Sequence, residues 1–162
     1  MAMGGCSSNA ATSADAGAEE DTGVVGCLGQ GDTYSANLQK TGALGKYTFT
    51  LVQATPAPPD LNGNVWTFKA VDATSATPDV SQLIVYPFMP LMGHGSDQTP
   101  TLVKNADGSF TASDIDFFMP GLWTVTLTVT EPVADAGAGD GAPELVPTPQ
   151  TIDKGVYSFC VN

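Results

Sequence analysis

The sequence predicts an all-β protein, an immunoglobulin-like antiparallel sandwich of about seven strands behind a disordered N-terminal tether. Three observations carry that expectation. Gly (18) and Pro (12) account for 30 of the 162 residues, and no window sustains apolar residues at three- and four-residue spacing, so helices have little support. Short segments instead alternate apolar and polar residues with period two, the pattern of a half-buried strand. Between them stand clusters of Pro, Gly, Asn and Asp, the punctuation expected of a two-sheet sandwich.

Taken in order, the chain opens with a stretch that has almost nothing to bury. Residues 7–26, "SSNAATSADAGAEEDTGVVG", cannot repay the entropy of ordering and are expected to be disordered. Just before them, Cys6 in "MAMGGCSSNA" follows a pair of small residues, as at the cleavage end of a bacterial lipoprotein signal. Cys6 is the expected lipidation site, and residues 1–26 the lipoprotein-like start and tether. Residues 27–162 form the single sandwich domain.

"KYTFTLVQA" (46–54) sets Tyr47, Phe49 and Leu51 against Thr48 and Thr50, and "NVWTFKAV" (64–71) places Trp66, Phe68 and Ala70 on one face. "SQLIVYPF" (81–88) is a denser apolar run, as for a strand covered on both sides or a site wall. "GSFTAS" (108–113) follows the turn dipeptide Asp107-Gly108. "LWTVTLTVT" (122–130) turns Trp123, Val125, Leu127 and Val129 inward and four threonines outward. "EPVADAGAGDGAPELVPTPQ" (131–150) is a flexible insertion by composition, and "GVYSFCV" (155–161) is the last strand.

Charge narrows the function. The formal net charge is −12, yet eight of the seventeen acids lie in the two low-complexity stretches. The other nine face five lysines and no arginine, so the folded part carries only about −4. Such a surface cannot neutralise a phosphate backbone, which excludes nucleic acid as a partner. No apolar run is long enough to span a membrane as a helix, so contact with a membrane would be through the lipid alone.

Cys27 opens the folded part and Cys160 nearly closes it, each beside strand-like residues. In an oxidising compartment they are expected to form a disulfide joining the first and last elements; the other reading is two buried thiols.

The segment with chemistry in it is "VYPFMPLMGHGS" (85–96), which holds Met89, Met92 and His94, the one histidine of the chain. Met119 follows in "FFMPGLW". If the strand stops at the prolines, these side chains lie on loops at one end of the sandwich, where function usually sits. Thioethers bind Cu(I) well and hard ions poorly. One histidine cannot build a structural zinc site or a blue-copper site, which needs two His and a Cys. The alternative is methionine as core filler beside a structural histidine. Asp114 and Asp116 could add oxygen ligands or simply face solvent, and Asp97 could orient the His94 ring. Nothing places a nucleophile beside the histidine, so catalysis is not expected.

"PFMPLMGHGSDQTP" followed by "DGSFTASDIDFFMPGLWTVTLTV", with "NGNVWTFKAVDA" ahead of them, resembles the bacterial YtkA-like family, related to FixH-like domains. The resemblance covers about residues 62–130. It implies an extracytoplasmic immunoglobulin-like sandwich, often lipid-anchored in the periplasm or at the cell surface, that handles copper or works beside copper-dependent systems. By position, Met89, Met92, His94 and Met119 would face the metal, and the partners would be a copper ion and a copper-donating or copper-accepting protein. The competing expectation is a non-catalytic interaction domain whose Met-rich end binds a partner without metal.

Overall fold

In the computed structural model, which describes residues 26–27, 29–132 and 150–162, the chain forms two antiparallel sheets packed face to face. The expected lipidation site Cys6, the tether and most of the 131–150 insertion lie outside the described residues. Among the described residues there are nine strands: β1 (Leu38–Thr41), β2 (Tyr47–Thr55), β3 (Asn62–Asp72), β4 (Leu83–Met89), β5 (His94–Gly95), β6 (Thr101–Lys104), β7 (Phe110–Phe117), β8 (Gly121–Thr130) and β9 (Thr151–Val161). One sheet runs β1-β2-β3-β7-β6 and the other β5-β4-β8-β9. Setting β1 aside, these orders are the A-B-E-D and C′-C-F-G sheets of an immunoglobulin-like sandwich. The predicted fold class therefore holds.

The inward faces follow the alternation read from the sequence. Phe49 and Leu51 from β2, Trp66, Phe68 and Ala70 from β3, and Trp123, Val125, Leu127 and Val129 from β8 are all buried in one core. Trp66 meets Phe117, Tyr157 and Phe159 edge-on. Its indole N–H makes no hydrogen bond.

Three local features depart from the expectation. β4 does not stop at its prolines: it passes through Pro87 and ends at Met89. The Pro87 carbonyl turns away from β8 to accept the Ser96 N–H at 3.3 Å, so the missing N–H falls on the same, edge-ward side, where β8 does not need it. β4 is also covered on one face only, for Ile84 and Tyr86 are each 49% exposed. Finally, β7 runs past residue 113 to Phe117 by means of a bulge: Asn64 is opposite Ile115 whereas Trp66 is opposite Ala112, and Asp114 sits at φ 62°.

The disulfide Cys27–Cys160 is formed, tying the segment before β1 to β9. That segment also shields the β9 edge. The Asp32 N–H donates to the Ser158 carbonyl at 2.6 Å, the Asp32 carboxylate accepts the Ser158 N–H at 2.9 Å, and Lys40 pairs with Asp32. A disulfide fits an oxidising, extracytoplasmic compartment. No helix among the described residues is long and apolar enough to cross a membrane.

Candidate metal-binding pole

The end of β4, the two-residue β5, the corner after β7 and the start of β8 meet at one end of the sandwich. Met89 closes β4, and its carbonyl accepts the N–H groups of Met92 (3.2 Å) and Gly93 (2.9 Å), which forms the tight turn into β5. Gly93 takes φ 71°, a left-handed value that costs glycine nothing. The turn sets His94 directly opposite Met89, so their side chains leave the sheet on the same, inward side. Phe88 is opposite Thr124, which puts Met89 and Trp123 on the next rung.

The histidine is half-buried among aromatic rings. Phe118 stacks on its imidazole (centroids 5.4 Å apart, planes at 22°), and Trp123 meets it edge-on at 6.4 Å. Its Nδ1 lies 3.2 Å from the Gly95 carbonyl. A carbonyl can only accept, so this contact calls for the tautomer with hydrogen on Nδ1, which leaves the Nε2 lone pair available to a ligand. Asp97 makes no hydrogen bond with the ring, so the orienting partner is this carbonyl rather than the carboxylate considered from the sequence.

The three thioethers lie at different depths. Met89 is 3% exposed and belongs to the core, while Met92 at the turn tip is 53% exposed. Met119 is partly buried against the core, and its carbonyl accepts the Trp123 indole N–H at 2.9 Å. Gly121 has φ 141°, and a methyl group at its Cα would overlap the Met89 methyl and stand 3.8 Å from its sulfur. The absence of a side chain at 121 is therefore what lets Met89 reach the Met119 corner. The structure thus pairs Met89 with His94, sets His94 against Trp123, bonds Trp123 to the Met119 carbonyl, and holds Met92 at the same end with its side chain in solvent. The loop expected for all of these donors is in part a strand hairpin, because β4 and β5 pair through Met89 and His94.

No carboxylate hydrogen-bonds to His94 among the described residues. Asp114 is exposed at the β7 bulge, bonded only to the neighbouring Ser113 hydroxyl, and no three of His, Cys, Asp and Glu come together anywhere among the described residues. The donor set is therefore neutral: thioether sulfur and one imidazole nitrogen. Such a set fits a soft, weakly charged ion and suits Mg²⁺ or Ca²⁺ poorly.

Two residues that support this pole drew no attention as sequence. Asn64 is fully buried at the start of β3, where its side chain bonds the Asp60 N–H and carbonyl and the Asn62 carbonyl, pinning the loop beside the β7 end. Phe118 shares the "FFMPGLW" fragment with Met119 but showed its relation to His94 only once the corner had folded.

An immunoglobulin-like sandwich with a Met/His cluster at one pole is the class these observations define. A sequence model of the YtkA-like family matches residues 41–128, more than half of the chain, and the protein belongs to that family. The match begins at the end of β1, earlier than the resemblance noted at residue 62, and leaves out β9 with its disulfide. No curated protein and no solved structure matches the chain.

Proposed function

We propose that this protein is an extracytoplasmic copper-binding domain, tethered by a lipid on Cys6, whose Met/His pole takes up Cu(I) for delivery, sequestration or sensing. It binds rather than catalyses. The observation that carries the reading is His94: its Nδ1 is committed to a backbone carbonyl, its Nε2 makes no hydrogen bond, and Met89 is its cross-strand partner while the Met119 corner is joined to Trp123 beside it. Copper is cargo here. Cu(I) needs no anionic ligand, and this donor set has none to offer. A donor or acceptor protein would meet the exposed Met92 first.

One observation favours a second reading. Leu91 (56%), Met92 and Phe118 (43%) form an exposed apolar rim at the pole, which suits a partner-binding surface without metal. Titration of the protein with Cu(I) against a competing chelator separates the two. The copper reading requires one tight equivalent in the wild type and a large loss in the double variant His94→Ala, Met92→Ala. Equal affinity in the two proteins would leave the partner-binding surface as the better account.

A further inference from the structure

We infer that Trp123 and Phe118 form an aromatic wall that positions His94 and Met119 and selects a soft monovalent cation over Cu(II); this rests on the copper reading above. Trp123 is fully buried and touches two of the candidate residues at once, its N–H held by the Met119 carbonyl and its ring in a T-shaped contact with the imidazole. Phe118 lies flat on the imidazole and meets Trp123 edge-on at 5.4 Å. The two rings therefore enclose one side of the histidine, and Trp123 is bonded to the corner that carries Met119.

The chemistry follows from charge. A monovalent soft ion is satisfied by thioethers and imidazole alone, and an aromatic wall beside the imidazole excludes the water that a divalent ion would need. Cu(II) gains more from carboxylate or water oxygen, and no carboxylate bonds to His94. Both tryptophans are core residues by their strand alternation. For Trp66 that is the whole description, whereas Trp123 is buried and also joined to the pole.

The test uses Ag(I), a redox-inert soft monovalent probe, beside Cu(I) and Cu(II). In Trp66→Phe protein the remaining indole is Trp123, and because the Trp66 N–H has no acceptor this replacement loses no hydrogen bond. One equivalent of Ag(I) should change the Trp123 emission and near-ultraviolet absorption with the midpoint found by chelator competition. Phe118→Leu, at an exposed position, should lower the preference for Ag(I) over Cu(II) about three- to tenfold. Trp123→Phe, which keeps a ring but loses the bond to Met119, should weaken Ag(I) binding by a similar factor. If Ag(I) binds while the indole signal is silent and both variants match their parents, the aromatic wall is wrong and the copper reading survives. If neither Ag(I) nor Cu(I) binds the full-length protein, both are wrong.

Discussion

Replacing Asp153 with alanine should destabilise the sandwich by about 3 to 6 kcal/mol, because one side chain accepts four backbone N–H groups. Its carboxylate receives the N–H of Leu44 (2.8 Å), Lys46 (2.7 Å), Tyr47 (2.8 Å) and Lys154 (2.8 Å), closing the β1–β2 turn onto β9. Leu44 and Lys46 lie on an exposed turn and can be rehydrated after the change; the Tyr47 and Lys154 N–H groups belong to strands and cannot be so easily. Charged hydrogen bonds of this kind contribute about 1.5 to 3 kcal/mol each, so two unrecovered bonds set the figure. In a domain of this size the thermal midpoint should fall by roughly 10 to 20 °C. Burial alone would raise the Asp153 pKa, but the four N–H groups outweigh it and hold the carboxyl below the usual carboxylate range. The folded pKa is then lower than the unfolded one. The stabilisation is complete above the unfolded value, near pH 4, and is lost as pH falls through the folded value. Denaturant melts of wild type and Asp153→Ala should thus differ most at neutral pH and converge in acid. A difference below about 1 kcal/mol, or one that stays constant from pH 7 to pH 3, would refute the reasoning.

Other outcomes follow from the same structure. Gly42→Ala should mimic part of the Asp153 defect, since a methyl group there would overlap the Asp153 carboxylate, and a normal melting midpoint would contradict that packing. Removing the Cys27–Cys160 disulfide, which spans 133 residues, should cost about 4 to 5 kcal/mol on a chain-entropy reckoning, read as a shift in guanidinium midpoint between oxidised and reduced protein. Gly121→Ala should weaken Cu(I) binding and also lower stability by about 1 to 3 kcal/mol, because the residue is held at φ 141° against the Met89 methyl. Chelator competition and a thermal melt on the same sample check both.

Much of the sandwich was legible because its long strands carry their burial in their alternation. β3 and β8 bury the apolar residues that period two assigned, and Thr124, Thr126 and Thr128 lie on the other face of β8; Thr130, also expected outward, is buried, because the register with β9 slips between Val129 and Thr130 and its hydroxyl donates to the Gln82 carbonyl. β1, β5 and β6 were not legible. They are four, two and four residues long, and pairing with a neighbour holds them in place rather than any pattern of their own. The β7 bulge did leave a trace: Phe110 and Ala112 are one phase apart from Ile115 and Phe117, and an alternation that slips by one residue is what a bulge writes. Asp153 also left one, as an acid at an inward position of a strand whose Gly155, Tyr157, Phe159 and Val161 are all buried. At the pole, the residue types were legible and their depths were not. Nothing in "MPLMGH" shows that Met89 lies in the core while Met92 lies in solvent. That difference arises from the β4–β5 pairing and from the space left at Gly121.

The most direct measurement of the central claim is X-ray absorption at the copper edge on protein loaded with one equivalent of Cu(I). The account predicts an ion surrounded by thioether sulfur and one imidazole, with the imidazole signal lost in His94→Ala and the sulfur signal reduced in Met119→Leu. A shell of oxygen and nitrogen alone, thiolate sulfur from Cys27 or Cys160, or a spectrum unchanged in both variants would contradict it.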